Sequence, residues 1–262
     1  MQEELNYWTA LSLEYANQRA YLDELFRVYP TIPEGMREIN PEKWANVEEA
    51  FVAQDNERLL THILSFDLSP IKDSYIAYLK RDTSAASRNP QTVARLCGRL
   101  YELGLDEIYK LCSQPKETNR QIGPMFRRWI EKGALGVRPV PLEVFTASKD
   151  DAILDAGDAA MKEFAFQNLG YERNKGLDFL GRFNGKYVVG EAKFLTDFGG
   201  HQAAQLNDAL DTLRADCDAV SIAILDGVIY IPGRNKMHLA LYENRERNIM
   251  SALVLREFLY SL

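Results

Sequence analysis

The stretch Gly176 to Phe194, GLDFLGRFNGKYVVGEAKF, restricts the fold more than any other part of this chain. Asn184-Gly185 stands between two runs of alternating character. A two-residue type I′ turn needs positive φ at both central positions, which Asn and Gly tolerate best, so the pair predicts a β-hairpin. With a two-residue loop Phe183 faces Lys186, and each step back from Phe183 matches a step forward from Lys186. Asp178 is thereby expected opposite Glu191, with Cβ atoms about 5 Å apart.

Like charges facing each other across a hairpin destabilise it. The arrangement makes sense if a divalent cation lies between them, because Mg²⁺ favours one or two carboxylates completed by phosphate oxygens and water. Strand alternation places Lys193 on the face of Glu191, one step along. Leu180 and Val189 share that face, which argues against a fully solvated surface carrying chance charges. Leu177, Phe179, Phe183, Val188, Ala192 and Phe194 are expected on the other face, against a core.

Outside the hairpin the chain divides by pattern. Residues 1–146 are expected to be mainly helical. Apolar residues recur at helical spacing over residues 2–28, and Asn40-Pro41 and Asn89-Pro90 each offer an N-cap followed by a first-turn proline. The second of these helices is expected to stop at Gly104, with a short helix from Ile108 to Cys112 after it and another over 124–132. Gly133, Gly136 and Pro139 to Pro141 form the linker candidate. From residue 147 to 262 the expected order is α-β-β-β-α-β: a helix over 149–168, an extended piece near Tyr171, and strands over 177–183 and 187–195. A helix over 201–215 follows, then strands over 219–225 and 228–231 around an Asp226-Gly227 turn. The stretch 249–259 is read as a closing helix.

Here the chain resembles the PD-(D/E)XK nuclease superfamily, and within it the type II restriction endonucleases. The resemblance is carried by Asp178 and by Glu191-Ala192-Lys193, set in that element order, and it covers residues 149–231 or so. Leu177 stands where the motif's proline would be. It implies an α+β fold, a mixed sheet in a restriction-endonuclease-like core; residues 1–146 lie outside the resemblance, and that N-terminal helical region is expected to serve DNA recognition. It also implies Mg²⁺, with Mn²⁺ expected to substitute, held by Asp178, Glu191 and the backbone carbonyl of Ala192, while Lys193 orients or helps deprotonate the attacking water. The chemistry agrees: a metal lowers the pKa of bound water and neutralises charge on the phosphate, and a lysine near a metal can exchange protons near neutral pH. Glu163, on the helix before the hairpin, stands where many such enzymes place an accessory acid; a solvated helix glutamate is the alternative. Asp155 and Asp158 are weaker candidates.

The implied substrate is double-stranded DNA cut at a short specific sequence. A homodimer is expected, because two strands need two active sites. The alternatives are a repair, recombination or phage-type nuclease on the same core, and a non-catalytic DNA-binding module.

A net charge of −7 sits poorly with a polyanionic partner until it is resolved along the chain. Residues 72–138 carry 13 basic and 7 acidic side chains, whereas the flanking segments are acidic. A basic middle can bind phosphates locally. Candidate DNA contacts there are Arg88, Arg95, Arg99, Arg127 and Arg128, together with Asn119, Arg120 and Gln121, a loop whose residue types suit guanine and adenine edges. After the hairpin, Gly199-Gly200 opens a helix whose His201, Gln202 and Gln205 are further candidates. The three cysteines and three histidines lack zinc-ligand spacing, so any metal should be a hard cation. No apolar run is long enough to span a membrane, and the acidic N-terminus has no signal-peptide core, so a cytoplasmic protein is expected.

Overall fold

A computed structural model describes residues 4–30, 37–114 and 122–262. The chain forms two compact units, one made of Met1–Thr31 with Thr118–Leu262 and the other of Ile32–Glu117.

The larger unit is built on a six-stranded mixed sheet: β1 (Pro139–Val140), β2 (Ala152–Leu154), β3 (Phe179–Phe183), β4 (Lys186–Leu195), β5 (Val220–Gly227) and β6 (Asn248–Met250), in spatial order β1-β2-β3-β4-β5-β6. The central β2-β3-β4 pairings are antiparallel; β1-β2, β4-β5 and β5-β6 are parallel. The fold class expected from the sequence holds. The hairpin turn forms as the Asn-Gly pair requires, with φ of 49° at Asn184 and 77° at Gly185.

Alternation along the hairpin feeds two cores. Phe179, Phe183, Val188 and Ala192 pack on one side of the sheet, under the Gly200–Leu213 and Ile122–Glu131 helices. Leu180 and Val189 pack on the other, with Phe145, Met161, Phe164 and Tyr171. Phe194 is only partly buried against the first core. Leu177 departs from expectation by joining Leu180 and Val189. The ladder explains this. Its last regular pair is Phe179 with Gly190, and the Asp178 N–H also donates to the Gly190 carbonyl at 3.1 Å. Two residues thus face one, the pattern of a β-bulge, which shifts the side chains before Phe179 by one step.

Several short elements differ from the sequence expectation. The expected helix over 149–168 is a strand, β2, followed by a helix at Asp158–Leu169. Tyr171 lies outside any strand, residues Val228–Tyr230 form a 3₁₀ turn, and β6 precedes a shorter final helix at Leu255–Ser261. Asp226-Gly227 ends β5 instead of forming a hairpin turn. Gly227 has φ of 93°, and a Cβ there would come within 2.1 Å of the Leu195 carbonyl oxygen, so only glycine fits.

The boundary also differs from a division at residue 146. The Tyr7–Gln18 helix lies against β6, where Thr9 donates to the Ile249 carbonyl (2.8 Å) and the Ser251 N–H donates to Ser12 (2.9 Å). Its apolar residues and those of Ile122–Glu131 complete the sheet's core, so both segments belong to the larger unit.

The smaller unit is helical where described: Pro41–Val52, Asn56–Leu64, Ser74–Arg81, Ala85–Arg88 and Pro90–Cys112, around Val47, Leu59, Leu60, Ile63, Leu96 and Leu100. Asn40 caps the first of these through the Lys43 N–H, with Pro41 in its first turn. Gly104 breaks the last at φ 76°, ψ 160°, the stop its glycine signalled.

Candidate active site

The mouth of the hairpin, where β3 begins and β4 ends, gathers the charged groups. Glu191 is buried, with only 3% of its side chain exposed, while Asp178 and Lys193 are largely covered. The Lys193 ammonium touches three oxygens: Asp178 Oδ2 at 3.0 Å, Glu191 Oε1 at 2.5 Å and the Ala192 carbonyl at 3.1 Å. Asp178 and Glu191 do not form a regular cross-strand pair, because the bulge intervenes. They converge all the same: the two oxygens can be no further apart than the 3.0 Å and 2.5 Å contacts laid end to end. The Ala192 N–H donates to Asp178 Oδ2 at 3.0 Å, replacing the ladder bond that the bulge removes.

Burial, reinforced by the Asp178 charge, raises the Glu191 pKa above the usual glutamate range. Burial alone would lower the Lys193 pKa, but Asp178 and Glu191 outweigh it and hold that pKa above the ordinary lysine value. Lys193 is therefore a firmly protonated cation when only protein groups surround it. A depressed lysine pKa, as expected beside a metal, requires that those carboxylates be engaged elsewhere. Two carboxylates and a carbonyl all facing one cationic nitrogen form a hard-oxygen donor set that suits Mg²⁺ or Mn²⁺. Among the described residues no cluster of three or more His, Cys, Asp or Glu side chains forms a metal site.

Two neighbours were not legible in the sequence. Lys175, in the loop before β3, places its ammonium 3.0 Å from the same Glu191 Oε1 and 2.8 Å from Asp208 Oδ2 on the Gly200–Leu213 helix. Nothing in the motif signals either residue. A small cleft beside Asp178 is lined by Asp155, Glu131 and Arg127 among others, and Arg127 is ion-paired with Asp158. Glu163 is not among its lining residues. It is exposed, and its carboxylate accepts from the Gln167 amide at 2.5 Å, one turn along its own helix.

The other expected DNA contacts fall in different places. His201 is exposed and meets the Gln205 amide at 3.2 Å, whereas Gln202 is buried and both ends of its amide are taken by Thr196. Its role is to tie the Gly200–Leu213 helix to the end of β4. In the smaller unit Arg88, Arg95 and Arg99 are exposed and paired with Asp82, Asp73 and Glu102. Arg128 is exposed on the helix that carries Arg127. Asn119, Arg120 and Gln121 lie outside the described residues.

Compared with known proteins, residues 6–262 match the model of a family described as Tsp45I type II restriction enzyme. No curated protein and no solved structure matches the chain.

Proposed function

The chain belongs to the Tsp45I type II restriction enzyme family, and we propose that it cuts double-stranded DNA at a short specific sequence with a PD-(D/E)XK metal site formed by Asp178, Glu191 and the Ala192 carbonyl. Membership makes it a type II restriction endonuclease that binds double-stranded DNA. The observation that carries the finer reading is the single cation on which three oxygens converge, the Lys193 ammonium. A divalent ion satisfies the same oxygens with twice the charge.

Magnesium bound there would act as a Lewis acid toward water and the scissile phosphate. The chain's own groups do the rest. Asp178 and Glu191, supported from β3 and β4, fix the donor oxygens, and the rigid sheet keeps them in place. Lys193, once released from the carboxylates, would lie within reach of a water beside the phosphate, which its ammonium orients; to take that water's proton it must first give up its own to solvent. In this reading Arg127, which lines the cleft, and Arg128 on the same helix meet phosphates, with Arg88, Arg95 and Arg99 of the smaller unit as further contacts. Mn²⁺ substitutes for Mg²⁺ in this reading, and the working form is a homodimer acting on a symmetric site. Asp155, which lines the cleft with Asp178, is better placed than Glu163 to be the accessory acid.

Plasmid cleavage with and without Mg²⁺, by the wild type and by Asp178→Ala, tests the proposal. Discrete Mg²⁺-dependent fragments that vanish with the substitution support it. A smear indicates a nonspecific nuclease, and binding without cutting indicates a DNA-binding module; either outcome overturns it.

A further inference from the structure

Glu191 Oε1 is crowded by two ammonium groups, Lys193 at 2.5 Å and Lys175 at 3.0 Å. A divalent ion on that oxygen would face both at close range, so both must withdraw before it binds. Lys193 keeps water and the phosphate as partners. Lys175 is held differently. Its loop is tied to the Asp158–Leu169 helix, where the Leu177 N–H donates to the Asp158 carbonyl (3.3 Å) and Lys162 donates to Asn174 (3.0 Å). Its nitrogen is shielded from solvent, and neither of its ionic contacts has hydrogen-bond geometry. Lys175 therefore bridges a buried acid and a half-exposed one: Asp208 is 54% exposed against 3% for Glu191.

We propose that Lys175 and Asp208 form a release latch on Glu191: Lys175 neutralises Glu191 while the site holds no divalent ion, and Asp208 takes the ammonium over when the ion arrives. This rests on the metal reading of Asp178 and Glu191 and adds two positioning residues to it. Asp208 lowers the cost of loading the site by giving the displaced cation a partner a short side-chain swing away. The latch predicts that the two residues act on metal affinity through each other and not separately.

The test is a double-mutant cycle on the full-length protein, with Mn²⁺ as the probe and its binding read from the free-ion electron paramagnetic resonance signal. Asp208→Asn is expected to weaken Mn²⁺ binding about 3- to 10-fold, and Lys175→Met to tighten it by a similar factor. In the Lys175→Met background Asp208→Asn should have almost no effect, while Lys175→Arg stays near the wild type. Thermal unfolding midpoints establish that each variant is folded. Asp211→Asn, one turn from Asp208, reports the effect of removing a remote negative charge. The latch is overturned if Asp208→Asn weakens binding equally with and without Lys175, or if Lys175→Met leaves the affinity unchanged. Unaltered Mn²⁺ binding by Asp178→Ala would remove the metal reading itself, a separate failure that takes the latch with it.

Discussion

The Lys193 ammonium stands 2.5 Å from Glu191 Oε1, though a single alanine separates the two residues in the chain. Alternation along β4 turns both side chains to one face, and Asp178, just before β3, meets the same nitrogen. The pairing balances charge in a covered site, where an isolated carboxylate would be costly. In the proposed mechanism it also leaves Lys193 where a reacting water would be reached once a metal claimed the acids.

Replacing Lys193 by Met is expected to slow single-turnover DNA cleavage by at least about 10²-fold, the usual contribution of a positioned proton-transfer group. The variant should still bind Mn²⁺, because the oxygen donors remain. Cleavage within a few-fold of the wild type would remove Lys193 from the mechanism.

The raised pKa of Glu191 fixes the direction of a pH effect. The folded protein holds that proton more tightly than the unfolded chain does, so stability from this group is full below the unfolded value, about 4.3, and is lost as pH rises through the raised folded value. Urea denaturation across this range should show the wild type losing stability relative to Glu191→Gln as pH increases. In the proposed reading, metal binding should run the opposite way, weakening as pH falls through the raised value. A constant stability difference between the two proteins would contradict the assignment.

Asp226 is fully buried at the end of β5, and burial raises its pKa. Its carboxylate accepts from the hydroxyls of Tyr21 (3.0 Å), Tyr29 (3.1 Å) and Ser251 (2.5 Å) and from the Ala252 N–H (3.2 Å). Asp226→Ala strands these buried donors and should cost about 3 kcal/mol or more in equilibrium unfolding. A loss below about 1 kcal/mol would show that the donors find other partners.

Gly190 precedes Glu191 on β4, and a Cβ there would come within 2.7 Å of Ile222 Cγ1. Gly190→Ala is expected to destabilise the protein by about 1–3 kcal/mol. Trimming the neighbour with Ile222→Val should recover part of the loss. Differential scanning calorimetry of the single and double variants checks both, and additive losses would rule out the steric cause.

The hairpin was legible in the sequence because its signals are local: Asn184-Gly185 sets the turn, and the turn sets the register that turns Glu191 and Lys193 to one face near Asp178. The bulge at Asp178 was not legible, since it depends on which side of the sheet has room for Leu177. Strands of three residues such as Ala152–Leu154 and Asn248–Met250 carry too little alternation to be told from helix ends. Their pairing is decided by distant neighbours. Lys175 and Asp208 are 33 positions apart, and only the packing of the Gly200–Leu213 helix on β4 and β5 makes them partners. The inward turn of Gln202 to Thr196 was not legible for the same reason.

A crystal structure of the protein soaked with Mn²⁺, with the ion located by its anomalous scattering, tests the central claim most directly. The account predicts a peak within about 2.1 Å of Asp178, Glu191 and the Ala192 carbonyl oxygen, with the Lys193 ammonium displaced from Glu191. Manganese bound elsewhere, with Lys193 still seated between the two carboxylates, would contradict it.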